Sequence, residues 1–325
     1  MSQDRPSDPT DGPKLPMKAR LNALWLRWEA LPGNLRGSVW LVGSTLILVI
    51  MASMIKHVGK HLPVVEILFI RQMMVMVVIS PAIAKGFPSI FRTKRLKLHI
   101  LRICLSTVAM TTGFTAVVYL PLAEVTAIGF ARTLFTTILA VFILHEIVGW
   151  RRWTATIVGL IGVLIVLRPS PEGMNEYSLM ALLSAFFVAC IMVVLRLLSQ
   201  TEKPTTIMAY QSVFLAIAFA PFAIWSWVTP TLEELGLLVV IGVLMSAGQW
   251  ANIQAYKAGE ASAIAPFEYG RLLFAILIGI WYFGEIPTEY TLIGATVIVG
   301  STLYTAHRNA KRKTVTVKPH GGEAP

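Results

Sequence analysis

Apolar runs of about 20 residues, each long enough to cross the ~30 Å hydrocarbon core of a bilayer as a helix, recur along almost the whole chain. They fall at 38–56, 64–83, 98–118, 122–143, 153–168, 178–198, 206–228, 235–256, 261–283 and 290–306. Two separations are slight, Tyr119-Leu-Pro-Leu-Ala-Glu124 and Lys257-Ala-Gly-Glu260. Each still reads as a turn, because Pro or Gly beside a glutamate interrupts a pattern too long for one crossing. The pattern predicts an all-α integral membrane protein with ten transmembrane helices, since lipid-exposed backbone must satisfy its own hydrogen bonds.

The pattern also repeats itself. Ala123 to Glu146, AEVTAIGFARTLFTTILAVFILHE, is echoed by Ala258 to Glu285, AGEASAIAPFEYGRLLFAILIGIWYFGE. Glu124 aligns with Glu260 and Ala127-Ile128 with Ala263-Ile264. After a three-residue insertion Arg132 meets Arg271, Leu134-Phe135 meets Leu273-Phe274, Glu146 meets Glu285, and further on Gly162 meets Gly300. A unit of five spans enters the membrane from opposite sides in its two copies, so the chain is expected to hold two inverted five-helix repeats, 38–168 and 169–306. Such halves give many carriers two related conformations around a site near the midplane. The pairs Gly159/Gly162 and Gly294/Gly300 suit close helix packing.

Outside the repeats lie a tail at 1–37 and a basic tail at 307–325. The first sixteen residues, rich in Pro and Asp, have little to bury and are expected to be disordered. Met17, Leu21, Leu24, Trp25, Trp28 and Leu31 then recur at helical spacing, which fits an amphipathic helix on the membrane surface or a cap on the protein. The first long apolar run begins near Ser38, too far in for a secretory signal.

Composition agrees: 55% of the 325 residues are hydrophobic and 14% charged, with a mean hydropathy of +0.68, far from a soluble domain. The net charge of +11 is a topology signal. With a cytoplasmic N-terminus the inward segments collect nearly all Lys and Arg, and the outward links hold only Lys56, Lys60 and Arg168. Both termini are therefore assigned to the cytoplasm and the protein to the inner (plasma) membrane, with no nucleic-acid footprint. Cys104 and Cys190, each inside an apolar run, suit neither a structural disulfide nor a metal site. A homodimer is compatible with this picture.

Three arginines, Arg71, Arg132 and Arg271, fall inside spans, where an ionisable group is expensive and normally faces the bundle interior or a wet cavity. Arg71, with Glu66 five residues earlier, suits an anionic substrate group, a structural pairing or snorkelling. Glu268 and Arg271 are three apart on one helix and close enough to neutralise each other. Pro266 removes a backbone hydrogen bond just before them, so a kink beside these charges is expected, with Glu268 as a candidate proton carrier. Arg132 has no acidic neighbour on its own helix, so it must find a partner elsewhere or offer its charge to the substrate, and the second is favoured. Tyr269, Gln211, Gln249 and Trp250 complete the candidate binding residues, since a buried amide demands a partner and an indole face can stack on a ring or cation. Trp40 and Tyr256 suit the interfacial belt.

The five-plus-five spans, with Ala263-Ile-Ala-Pro-Phe-Glu-Tyr269 before Arg271-Leu-Leu-Phe274 and a closing Gly284-Glu-Ile-Pro287, resemble the drug/metabolite transporter superfamily, and within it the EamA-type carriers. The resemblance covers residues 36 to 306. Its motifs are degenerate in the first half, where HEIVGWRRW stands in place of the usual G-E and a polar turn. It implies a central cavity lined by both halves and ATP-independent transport of small polar or zwitterionic solutes, without a cofactor. The chain itself has no G-x-x-x-x-G-K-[ST] loop. Amino-acid or metabolite export, riboflavin-like vitamin uptake and S-adenosylmethionine uptake all fit the resemblance. A polytopic enzyme or receptor is the competing class; it is disfavoured because no His/carboxylate cluster, metal spacing or nucleophile constellation is visible.

Overall fold

The computed structural model describes residues 28, 31–144, 150–168, 175–259 and 264–315. Helices α1 (Gly33–Val58), α2 (Val64–Gly86), α3 (Leu96–Tyr119), α4 (Leu122–Gly129), α5 (Ala131–Leu144) and α6 (Trp150–Leu167) build the first half. The second half comprises α7 (Glu176–Ser199), α8 (Pro204–Trp225), α9 (Leu232–Ala258), α10 (Gly270–Phe283) and α11 (Glu289–Val315). Among the described residues there is no strand. Among the described residues seven crossings are long and apolar enough to span a bilayer by themselves, one of them the continuous stretch Leu122–Ile143 through α4 and α5. With α6, α11, and the 3-10 turn Ala265–Tyr269 joined to α10, ten crossings result.

Prolines set several helix starts. Pro32, Pro63 and Pro121 stand immediately before α1, α2 and α4, and Pro204 opens α8, where its fixed φ suits the first turn and its missing N–H is not needed. Thr231 and Glu234 form a reciprocal capping box at α9. α10 ends on Gly284 in the left-handed region at φ 66°, with the Glu285 N–H donating back to the Gly279 carbonyl at 2.9 Å. That turn brings the Glu285 side chain back toward the bundle.

Packing between the two halves is reciprocal. α1 lies along α9, and its counterpart α7 lies along α3, while α2 meets α8 and α6 meets α11. Each half thus buries its helices against the other rather than forming its own core, as expected for repeats related by an axis in the membrane plane. Backbones approach closely between α6 and α11, where a Cβ on Gly162 would stand 2.9 Å from the Gly294 carbonyl oxygen, and between α1 and α9, where one on Gly33 would stand 2.5 Å from the Ala258 carbonyl oxygen. Gly300 differs from the sequence expectation, since a Cβ there would meet nothing within 4 Å.

Other expectations are corrected. Lys56, counted above among the outward link residues, is inside α1 and only 4% exposed. The fourth span is not one regular helix, because α4 stops at Gly129 and α5 starts at Ala131. The last helix continues to Val315, through part of the segment assigned to the basic tail. Most of the amphipathic 17–31 segment, together with Glu146 and Glu260, lies outside the described residues.

Candidate functional site

The regular α pattern is interrupted at the same place in both halves. In the first, α4 gives way to α5 around Phe130; in the second, a 3-10 turn over Ala265–Tyr269 runs into α10. Pro266 explains the second interruption, because it removes one donor of the i to i−4 ladder. A 3-10 stretch within a crossing often marks a hinge. Arg132 and Arg271 are each the second residue of the 14-residue half-helix that follows.

The two interruptions face each other across the interface between halves. The Arg132 guanidinium forms an ion pair with the Glu268 carboxylate, whose side chains are 31% and 36% exposed. Glu268 therefore takes its partner from the other repeat, not from Arg271 on its own helix. Of the two uses open to Arg132, a partner elsewhere is the one present here, and the favoured one, a charge left free for a substrate, is not. Arg271 is left with a buried Nε that has no hydrogen-bond partner. Phe130 and Tyr269, one from each interruption, pack edge to face with centroids 5.0 Å apart.

Arg132 and Arg271 line one small cavity with Val49, Ala52, Val117, Leu122 and Thr126 among its walls. Its volume is about 60 Å³, room for a few waters and far below the ~300 Å³ at which ligand pockets begin. That cavity is thus too small to hold a metabolite in this conformation.

One end of that cavity is fastened by a group the sequence reading missed. Lys56, one turn beyond Ala52, forms an ion pair with Glu285 and also donates to the Leu120 carbonyl. The other Glu285 oxygen accepts the Leu122 N–H at 3.0 Å. α1, the α3–α4 link and the α10–α11 link are therefore held by one cation and one carboxylate. Nearby, Glu124 accepts from the Ser178 hydroxyl at 2.9 Å, tying α4 to α7. Glu285 was visible as the closing acidic residue of the repeat; Lys56 was disguised by its position at a span end.

The remaining candidates are elsewhere. Arg71 is buried on α2, with its guanidinium 3.7 Å from the Met110 sulfur and 5.2 Å from the Phe114 ring centroid on α3. Trp250 is exposed on α9 and meets Trp40 edge to face at 5.0 Å, and Trp40 in turn meets Trp28 at 6.0 Å. Gln249 is exposed and Gln211 half-buried. None of these four candidates lines the cavity that holds Arg132 and Arg271.

Residues 35–168 and 176–306 each match the profile of the EamA-like transporter family. The chain is 30% identical over 283 residues to the S-adenosylmethionine uptake transporter of Rickettsia prowazekii, spanning 87% of this chain and 96% of that one. It is 29% identical over 287 residues to the riboflavin transporter of Vibrio cholerae, spanning 86% and 95%. A solved crystal structure shares the fold with a TM-score of 0.58 at 16% identity, covering 87% of this chain and 98% of that one. With both halves matched and the charged interruptions meeting at their interface, the chain belongs to the EamA-like transporter family, as a multi-pass membrane carrier of small-molecule metabolites and not an enzyme.

Proposed function

We propose that this carrier moves S-adenosylmethionine, or a zwitterion of the same class, by alternating access, with both termini in the cytoplasm. The observation that carries this reading is the meeting of Arg132, Glu268 and Arg271 between the two halves. An amino-acid head group offers a carboxylate and an ammonium, and S-adenosylmethionine adds a sulfonium cation and a flat adenine ring. Arg271, whose Nε lacks a partner, suits the carboxylate, since guanidinium pairs with it bidentately. The substrate's cationic centre competes with Arg132 for Glu268. The Phe130 and Tyr269 rings suit the adenine face.

Riboflavin, the cargo named for another relative, is uncharged at neutral pH. Holding three charged groups at membrane depth costs several kcal/mol of desolvation, and a neutral substrate recovers less of it than one carrying opposite charges. The Lys and Arg distribution supports an outward orientation of the Lys56–Glu285 end, and the ion pair there supports a resting state shut toward the outside.

The test is uptake into vesicles containing the purified chain. Labelled S-adenosylmethionine should accumulate or exchange, and riboflavin should match empty vesicles; the reverse outcome overturns the proposal. An imposed pH gradient separates the coupling question, because transport indifferent to it removes Glu268 as a proton carrier.

A further inference from the structure

A groove of about 700 Å³ lies where the start of α3 meets the end of α7, well away from the paired charges at the interface between halves. It is lined by Lys94, Arg95, Leu96, Lys97, Leu98, Leu197 and Gln200. Three cations stand in it and no carboxylate is among its lining residues; Glu202, just beyond Gln200, is engaged by the Thr93 hydroxyl at 2.6 Å. Lys94, Arg95 and Lys97 are all exposed. The groove is not simply a wet cationic patch, because Leu96 is 50% exposed beside them and Leu98 and Leu197 form its apolar wall.

The apolar surface continues along the helix. On the face of α3 that follows Lys97, Leu101, Cys104 and Val108 recur at i+4, i+7 and i+11 and are all exposed. At about 1.5 Å per residue this track is ~16 Å long, half the ~30 Å hydrocarbon core. A cationic head site thus opens directly onto an apolar track one leaflet deep.

We propose that this groove binds an anionic phospholipid, with the phosphate among Lys94, Arg95 and Lys97 and an acyl chain along Leu101, Cys104 and Val108. A soluble phosphate would satisfy the cations and leave the leucine wall in water. A zwitterionic lipid would cover the wall and bring its own cation against three others. An anionic lipid satisfies both, and basic pockets between transmembrane helices are suited to such head groups. The site bridges α3 and α7, which come from opposite halves and pack along each other, so a bound lipid braces the interface between repeats.

The test uses the purified full chain in detergent, titrated separately with phosphatidylglycerol and phosphatidylcholine of equal chain length, with bound lipid read by native mass spectrometry. Wild type should prefer phosphatidylglycerol. Each basic residue near the surface contributes about a five-fold factor, so K94Q/R95Q/K97Q should lower that preference on the order of 100-fold. Lys97→Gln alone should lower it about five-fold, which keeps the test decisive if the triple variant does not fold. K311Q/R312Q/K313Q, an equal change in charge in the C-terminal segment, should leave the preference intact. The proposal is overturned if wild type binds both lipids equally or if both groove variants keep the preference. It is equally overturned if glycerol phosphate displaces the lipid at matched concentration, which would mark a site for a free anion.

Discussion

Arg132 and Glu268 come from opposite halves of the chain, and their ion pair closes the gap between the two interrupted helices. The pair is about one-third exposed, so its contribution to stability is at most ~1 kcal/mol after solvent screening. Its placement therefore matters more than its strength. A substrate bearing both signs of charge can offer its cation to Glu268 and its carboxylate to an arginine, and doing so unfastens one half from the other.

The first prediction follows from that exchange. Arg132→Ala and Glu268→Gln should each lower transport at least 100-fold while shifting the unfolding midpoint in detergent by only a few degrees, given the small stabilisation at stake. Vesicle uptake and thermal unfolding measured on the same preparations check it. A variant that keeps wild-type transport removes its residue from the mechanism.

Arg271 should behave differently. Its Nε is buried without a partner, and an unsatisfied buried donor costs about 1–3 kcal/mol. Arg271→Met removes that cost while keeping the volume, so the variant should be as stable as wild type or more so, yet lose substrate binding. Ligand-induced stabilisation by S-adenosylmethionine, present in wild type, should disappear. If Arg271→Met unfolds more easily and still responds to ligand, the arginine is structural.

The contrast between these residues shows what the sequence made legible and what it did not. Period and length placed the ten crossings, Pro266 foretold the irregular start of the ninth, and the internal echo located both arginines because those signals are local or self-similar. Partner choice was not legible. Glu268 has Arg271 three residues away, and nothing in the chain says that Arg132, far off in sequence, approaches more closely. The interruption in the fourth span carries no proline and so left no mark. Lys56 was misplaced because a lysine at the end of an apolar run looks like a solvated anchor until the facing carboxylate is known.

Arg71 tests that boundary from the other side. It is buried against Met110 and Phe114 and does not line the cavity of Arg132 and Arg271. Arg71→Met should keep KM for S-adenosylmethionine within about three-fold, since a lost direct contact to a charged group costs roughly 1.5–3 kcal/mol, a ten-fold change or more. A KM raised ten-fold or more at unchanged Vmax would reinstate Arg71 as a substrate contact.

The last prediction concerns Lys56 and Glu285. Removing one member leaves the other buried and uncompensated, which costs about 3–5 kcal/mol for a buried pair, so Lys56→Met and Glu285→Gln should each be markedly destabilised. Exchanging the charges, K56E/E285K, restores opposite signs but not the fit. Position 56 faces the Leu120 carbonyl, which needs a donor, and position 285 faces the Leu122 N–H, which needs an acceptor. The exchange should therefore fail to recover stability, whereas an ordinary ion pair would tolerate it. The double neutral variant K56M/E285Q leaves no bare charge and should regain most of the loss, but without the fastening between α1 and the two links. In a background with Cys104 and Cys190 replaced by Ser, a cysteine at position 122 should then react with a membrane-impermeant thiol reagent from the Lys56 side at least ten-fold faster than with the pair intact. Unchanged labelling would show that the apolar packing of Val49, Leu122 and Ala275 closes that end unaided, with the ion pair contributing only to stability.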